Sequence, residues 1–100
     1  MKENELKELI CDIGRRIYTN SFVAANDGNI TVKLSEREFL TTPTGISKGF
    51  LIPEMIVKVN EKGEVLEGTY KPSSEVKVHL RVYQEREDVG AVVHAHPPYA

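Results

Sequence analysis

Leu6, Leu9, Ile10, Ile13 and Ile17 fall on one helical face while Lys7, Glu8, Asp12, Arg15 and Arg16 fall elsewhere. The spacing predicts an amphipathic helix over about residues 5–19. Asn20-Ser21 favour turns and caps over helix interiors and should end it. Phe22 to Ala25 is a short apolar run that defines no element. From Ile30 the period drops to two, with Ile30, Val32 and Leu34 alternating with Thr31, Lys33 and Ser35. That predicts a half-buried strand at about 29–35. Ser35 to Glu38 reads as a hairpin turn and Phe39 to Thr42 as the returning strand, which Pro43 and Gly45 then break.

Ile52-Pro53-Glu54-Met55 places proline and an acid where a short helix would begin. Ile56, Val57 and Val59 read as a strand, Asn60 to Gly63 as a turn, and Glu64 to Glu67 as its partner. Val76, His79, Leu80 and Tyr83 share one face of a second helix at about 74–86, with Ser73 or Ser74 at its N-cap. A last strand follows at about 90–95. Its alternation puts Val92, His94 and His96 on one face and Ala91, Val93 and Ala95 on the other. Pro97 and Pro98 end it, since neither can donate to a ladder.

One hundred residues, 40% hydrophobic and 28% charged, suit one globular domain with a modest core. Thirteen basic residues against fifteen acidic ones give a net charge of −2 with mixed signs and no basic patch, which excludes a nucleic-acid footprint. The charged start does not read as a signal peptide, and no apolar run approaches a membrane span. The expectation is a cytoplasmic location with no membrane partner. Cys11 is the only cysteine, so no internal disulfide can form. It reads as an inert thiol on the first helix.

Four stretches carry possible chemistry, each with an ordinary structural use beside it. Asn26-Asp27-Gly28-Asn29 suits a turn with converging backbone N–H groups, either as an anion loop or as a tight turn before a strand. Thr42-Pro43-Thr44-Gly45 is a second loop of that kind. Ser73 and Ser74 sit where a helix begins, as a phosphate site or as a plain cap, and Glu75 suits the helix dipole whatever else it does. His94 and His96, two apart on a strand, fit two ligands of one divalent metal or a hydrogen-bonded structural pair.

Taken together, Gly28-Asn29-Ile30-Thr31, Thr42-Pro43-Thr44-Gly45, Pro72-Ser73-Ser74-Glu75 and Val92-Val93-His94-Ala95-His96 resemble the class II aldolase and adducin family. Their order and spacing are similar to those of its metal-dependent sugar-phosphate aldolases. The resemblance runs over nearly the whole of residues 1–100. It implies an α/β fold, a three-layer α/β/α domain with a central, mostly antiparallel sheet, of which this chain carries the N-terminal part. It implies Zn2+, or another divalent metal, on His94 and His96, with Glu75 as the catalytic acid/base. Gly28, Asn29, Thr44, Gly45, Ser73 and Ser74 would hold the phosphate of a ketose substrate.

The implied reaction is retro-aldol cleavage of a ketose 1-phosphate, such as L-fuculose 1-phosphate, to dihydroxyacetone phosphate and an aldehyde. A sugar-phosphate epimerase, a methylthioribulose-phosphate dehydratase and a non-catalytic adducin-like assembly module are the alternatives. The family pattern has a third metal histidine beyond position 100, so the chain by itself is expected to be an incomplete, inactive part of a homo-oligomeric enzyme, a tetramer by resemblance. His79, on the second helix, does not match that third ligand and is assigned to packing or helix support.

Overall fold

Five short strands build one sheet, and each face of it is covered by one helix. A computed structural model describes residues 2–19, 29–46 and 50–94. Helix α1 spans Glu3–Thr19, followed by β1 (Asn29–Ser35), β2 (Glu38–Thr41), β3 (Val57–Val59), β4 (Val65–Glu67), α2 (Val76–Glu85) and β5 (Ala91–His94). A single 3-10 turn at Pro53–Met55 leads into β3. The strand order is β4-β3-β2-β1-β5. Every pairing is antiparallel. The first four strands form a meander, and α2 then carries the chain across the sheet so that β5 closes on β1.

Side-chain alternation sorts the strands into two apolar faces. Ile30, Val32 and Leu40 join Ile10, Cys11, Leu51 and Ile56 under α1. Phe39, Val57 and Val59 join Val76, Leu80 and Tyr83 of α2 on the opposite face, with Val92 packed at the edge. The result is the expected α/β/α layering. Burying one such branched side chain stabilises the fold by about 1.5–3 kcal/mol. Lys58, out of phase with Val57 and Val59, ties α1 to the far end of the sheet. Its Nζ lies 2.8 Å from Glu3 and 3.1 Å from Glu67 of β4.

Two expectations from the pattern need correction. Leu9 is 39% exposed, and the buried face of α1 is centred on Ile10 with Cys11 beside it. The start of β1 is not half-buried: Asn29, Ile30, Thr31 and Val32 are all buried. The reason is α2, which covers the face that Asn29 and Thr31 were expected to turn to solvent. Burial pushes the Cys11 thiol above its ordinary range, consistent with an inert core residue. No helix among the described residues is long and apolar enough to cross a membrane. Phe22 to Ala25 lie outside the described residues.

Candidate functional site

The segments after β2 and before α2 are stitched side by side. Pro43 and Pro72 form an isolated antiparallel bridge. Prolines can face each other there because the bonds of such a pair come from their neighbours. Thr44 N–H donates to Lys71 O at 2.8 Å, and Ser73 N–H to Thr42 O at 3.3 Å. Gly45 follows with φ 78° and nothing within 4 Å of where a Cβ would sit. Backbone conformation rather than space therefore requires glycine at this position. Two of the loops read from the sequence are thus one continuous surface.

Asn29, the first residue of β1, is locked against the same surface. Ile30 N–H donates to Thr42 Oγ1 at 3.2 Å, so the Thr42 hydroxyl proton is free to be donated to Asn29 Oδ1. Thr41 Oγ1 donates to the same oxygen at 3.0 Å. These bonds fix the amide orientation, with the oxygen consumed and the nitrogen turned away. Asn29 is fully buried, yet among the described residues Nδ2 has no hydrogen-bond partner. A buried donor without an acceptor costs about 1–3 kcal/mol. The structure thus holds in place a neutral donor that an oxyanion would satisfy.

The entry to α2 differs from the expected serine cap. Glu75 occupies the N-cap with φ −77° and ψ −7°, and its side chain makes no capping bond. Ser73, buried, instead accepts the Glu75 N–H on its hydroxyl at 3.2 Å. Its own proton remains available to a ligand. Ser74 and Thr44 are exposed and Glu75 is half-buried. One turn later His79 is buried as the helical pattern expected, with Nδ1 2.9 Å from Thr31 Oγ1. Tyr83 Oη lies 2.8 Å from the same hydroxyl, and burial raises the tyrosine pKa.

His94 is the last residue of β5 and stands opposite Asn29 in the β1–β5 ladder. The expected strand therefore runs beside the amide just described. The His94 imidazole, all of His96 and Gly28 lie outside the described residues. Among the described residues no three His, Cys, Asp or Glu side chains come together as a metal would need. A cation here would draw its histidines from His94 and His96. β5 brings the His94 backbone to the Asn29 end of β1. A cleft of about 200 Å³ lined by Lys33, Glu36, Phe39, Tyr83, Gln84 and Glu87, among others, lies at the opposite end of α2.

Thr41, Thr42 and Thr31 are the site residues that motif reading passed over as ligand-orienting groups. Their signal was present as polar residues recurring inside strands otherwise filled with buried apolar side chains.

The profile of the family described as Class II Aldolase and Adducin N-terminal domain matches residues 8–100. The chain belongs to this family. Among particular relatives, 5-deoxy-D-ribulose 1-phosphate aldolase of Bacillus thuringiensis serovar kurstaki is 38% identical over 95 residues, covering 94% of this chain and 45% of that protein. Methylthioribulose-1-phosphate dehydratase of Pseudomonas syringae pv. tomato is 36% identical over 96 residues, covering 96% of this chain and 47% of that protein. The solved structure of an L-fuculose 1-phosphate aldolase superposes with a TM-score of 0.88 at 31% identity, covering 99% of this chain and 47% of that one. The chain spans about half the length of the curated relatives it matches. All three names contain a sugar 1-phosphate, and they divide between aldolase and dehydratase.

Proposed function

We propose that this chain supplies the phosphate-binding loops, the acid/base and two metal-ligating histidines of a metal-dependent sugar-phosphate aldolase. The substrate would be a ketose 1-phosphate such as L-fuculose 1-phosphate, cleaved to dihydroxyacetone phosphate and an aldehyde. The observation that carries this reading is the Asn29 amide, buried and oriented by two threonines, with its Nδ2 unpartnered among the described residues. A phosphate oxygen is the acceptor that this donor fits. The Ser73 hydroxyl is free to donate because its oxygen already accepts the Glu75 N–H. Thr44 would contribute its hydroxyl, since its N–H is engaged with Lys71. Ser74 and Gly45 complete the set in this reading as neutral groups near the start of α2, where a dianion is favoured, and Gly28 joins them by the family resemblance.

A divalent cation on His94 and His96, zinc by the family resemblance, would polarise the ketose carbonyl as a Lewis acid. Glu75, at the entry to α2 beside Ser73 and Ser74, would give a proton to carbon 3 of the ketose as its bond to carbon 4 breaks. The proton lost by the carbon 4 hydroxyl balances that step. The dehydratase relative supports a second reading, in which the same loops hold a ketose 1-phosphate that loses water instead.

The test is to supply Zn2+ and L-fuculose 1-phosphate to this chain extended to the length of its relatives and to assay dihydroxyacetone phosphate. Its release supports the aldolase, whereas a dehydrated sugar phosphate with no triose phosphate supports the second reading. Failure of both reactions together with no binding of inorganic phosphate would remove the reading altogether.

A further inference from the structure

Asn29 and Ser73–Glu75 belong to segments far apart in sequence, carried by β1 and by the start of α2. The two elements meet through apolar packing and through one buried polar junction. At that junction His79 Nδ1 lies 2.9 Å from Thr31 Oγ1, and Tyr83 Oη lies 2.8 Å from the same oxygen. Thr31 stands two residues beyond Asn29 on the same face of β1. His79 stands one turn beyond Glu75, whose carbonyl accepts the His79 N–H at 3.4 Å. Apolar contacts such as those of Leu80 are non-directional and tolerate small sliding of a helix over a sheet. Hydrogen bonds near 2.9 Å fix both distance and angle. Thr31, His79 and Tyr83 are 0%, 1% and 4% exposed, so water does not compete for this junction.

We propose that His79 is a positioning residue whose bond to Thr31 sets the spacing between Asn29 and Ser73–Glu75. The proposal rests on reading those residues as one phosphate site. Thr31 Oγ1 is the partner in that bond, and Tyr83 braces it from the next turn of α2. His79→Leu removes the bond while retaining an apolar side chain. His79→Asn restores a polar atom at about the reach of Nδ1. Thr31→Val breaks the bond from the strand side with little change of shape. Leu80→Ala loosens the same helix without touching the junction.

The experiment compares these four variants with wild type by amide NMR of the free protein and by titration with inorganic phosphate. His79→Leu and Thr31→Val should move the Ser73, Ser74 and Glu75 amide resonances and the Asn29 side-chain amide in the same direction. Their combination should add little to either alone. His79→Asn should return the resonances toward wild type, and Leu80→Ala should leave them in place. Phosphate affinity should fall about tenfold in His79→Leu and Thr31→Val, the scale of one lost hydrogen bond. It should recover in His79→Asn.

Unmoved resonances in Thr31→Val, or equal movement in Leu80→Ala, would overturn the proposal and leave His79 a packing residue. Wild-type affinity for phosphate in a folded His79→Leu would overturn it too. If His79→Leu does not fold, Thr31→Val carries the decision. If the wild type binds no phosphate, the phosphate reading fails while the amide resonances still judge the positioning.

Discussion

The Thr42 hydroxyl donates to Asn29 Oδ1 across the β1–β2 pair, while its oxygen accepts the Ile30 N–H at 3.2 Å. One side chain therefore both closes the strand ladder and orients the amide. Thr42→Val keeps the shape and removes both roles, leaving the Ile30 N–H buried without its partner. The expected loss is about 1–3 kcal/mol, which lowers the melting temperature of a domain this size by roughly 4–8 °C per kcal/mol. Phosphate affinity should fall as well, because the Asn29 amide is then held by Thr41 alone. Thermal melts and phosphate titration of the variant check both halves. A variant as stable as wild type would show that these bonds do not hold the strand end.

Ser73 and Ser74 should separate. Ser73 is buried and accepts the Glu75 N–H, whereas Ser74 is exposed. Ser73→Ala should lose both stability, by about 0.5–2 kcal/mol as for other helix-start hydroxyls, and phosphate affinity. Ser74→Ala should keep stability and lose affinity alone, by about ten- to a hundred-and-fifty-fold if the hydroxyl meets a charged oxygen. Denaturation and phosphate titration on the two proteins distinguish them. Unchanged phosphate binding in both would move the phosphate site elsewhere.

In this chain extended to the length of its relatives, His94→Ala and His96→Ala should each remove bound zinc and activity together. Glu75→Gln should retain the metal and lose turnover, since it removes only the proton-transfer group. Metal content of the purified proteins is the measurement. Full zinc in His96→Ala would contradict the ligand assignment.

The Lys58 junction should impose a pH dependence of its own. The hydrogen bond from Lys58 holds Glu3 below its ordinary 4.5, and bonds to Glu3 and then Glu67 hold Lys58 above 10.5. A lowered acid stabilises the fold above its unfolded pKa and loses that contribution as pH falls through its folded value. A raised amine stabilises below its unfolded pKa and loses that contribution as pH rises through its folded value. Relative to Lys58→Met, wild-type stability should therefore be highest between about pH 5 and pH 10 and decline toward both extremes. The Glu3 and Glu67 side chains are 36% and 65% exposed, which limits the swing to about 1 kcal/mol or less. Denaturant melts across pH read it out, and a constant difference would sink the assignment.

Period and turn chemistry placed every helix and strand of the described residues because those signals are local. What they missed was set by partners. The i, i+3, i+4 pattern in α1 marks a face but not its centre, and packing on β1 decided that Ile10 is buried while Leu9 stays at the rim. Asn29 and Thr31 read as the wet side of a strand because nothing near them in sequence announces that α2 will cover them. The Ser73–Ser74 pair suggested a side-chain cap, but Ser73 serves the Glu75 N–H from just outside the helix. Each candidate loop was legible from its own residues. That the 42–45 and 71–75 segments adjoin depends on the Pro43–Pro72 bridge, which no local pattern encodes.

The route of the chain through the sheet also orders its assembly in time. β1 pairs with β2 across a two-residue turn, and β3 and β4 follow as successive neighbours. β5 reaches β1 only after the crossing helix, with His94 set against Asn29. Short loops close cheaply and early, and distant pairings come late. The hairpin that orients the Asn29 amide can thus form while the strand bearing His94 is still unpaired. On this path the amide proposed to meet phosphate is oriented before the strand that bears the proposed metal ligand His94 takes its place beside it.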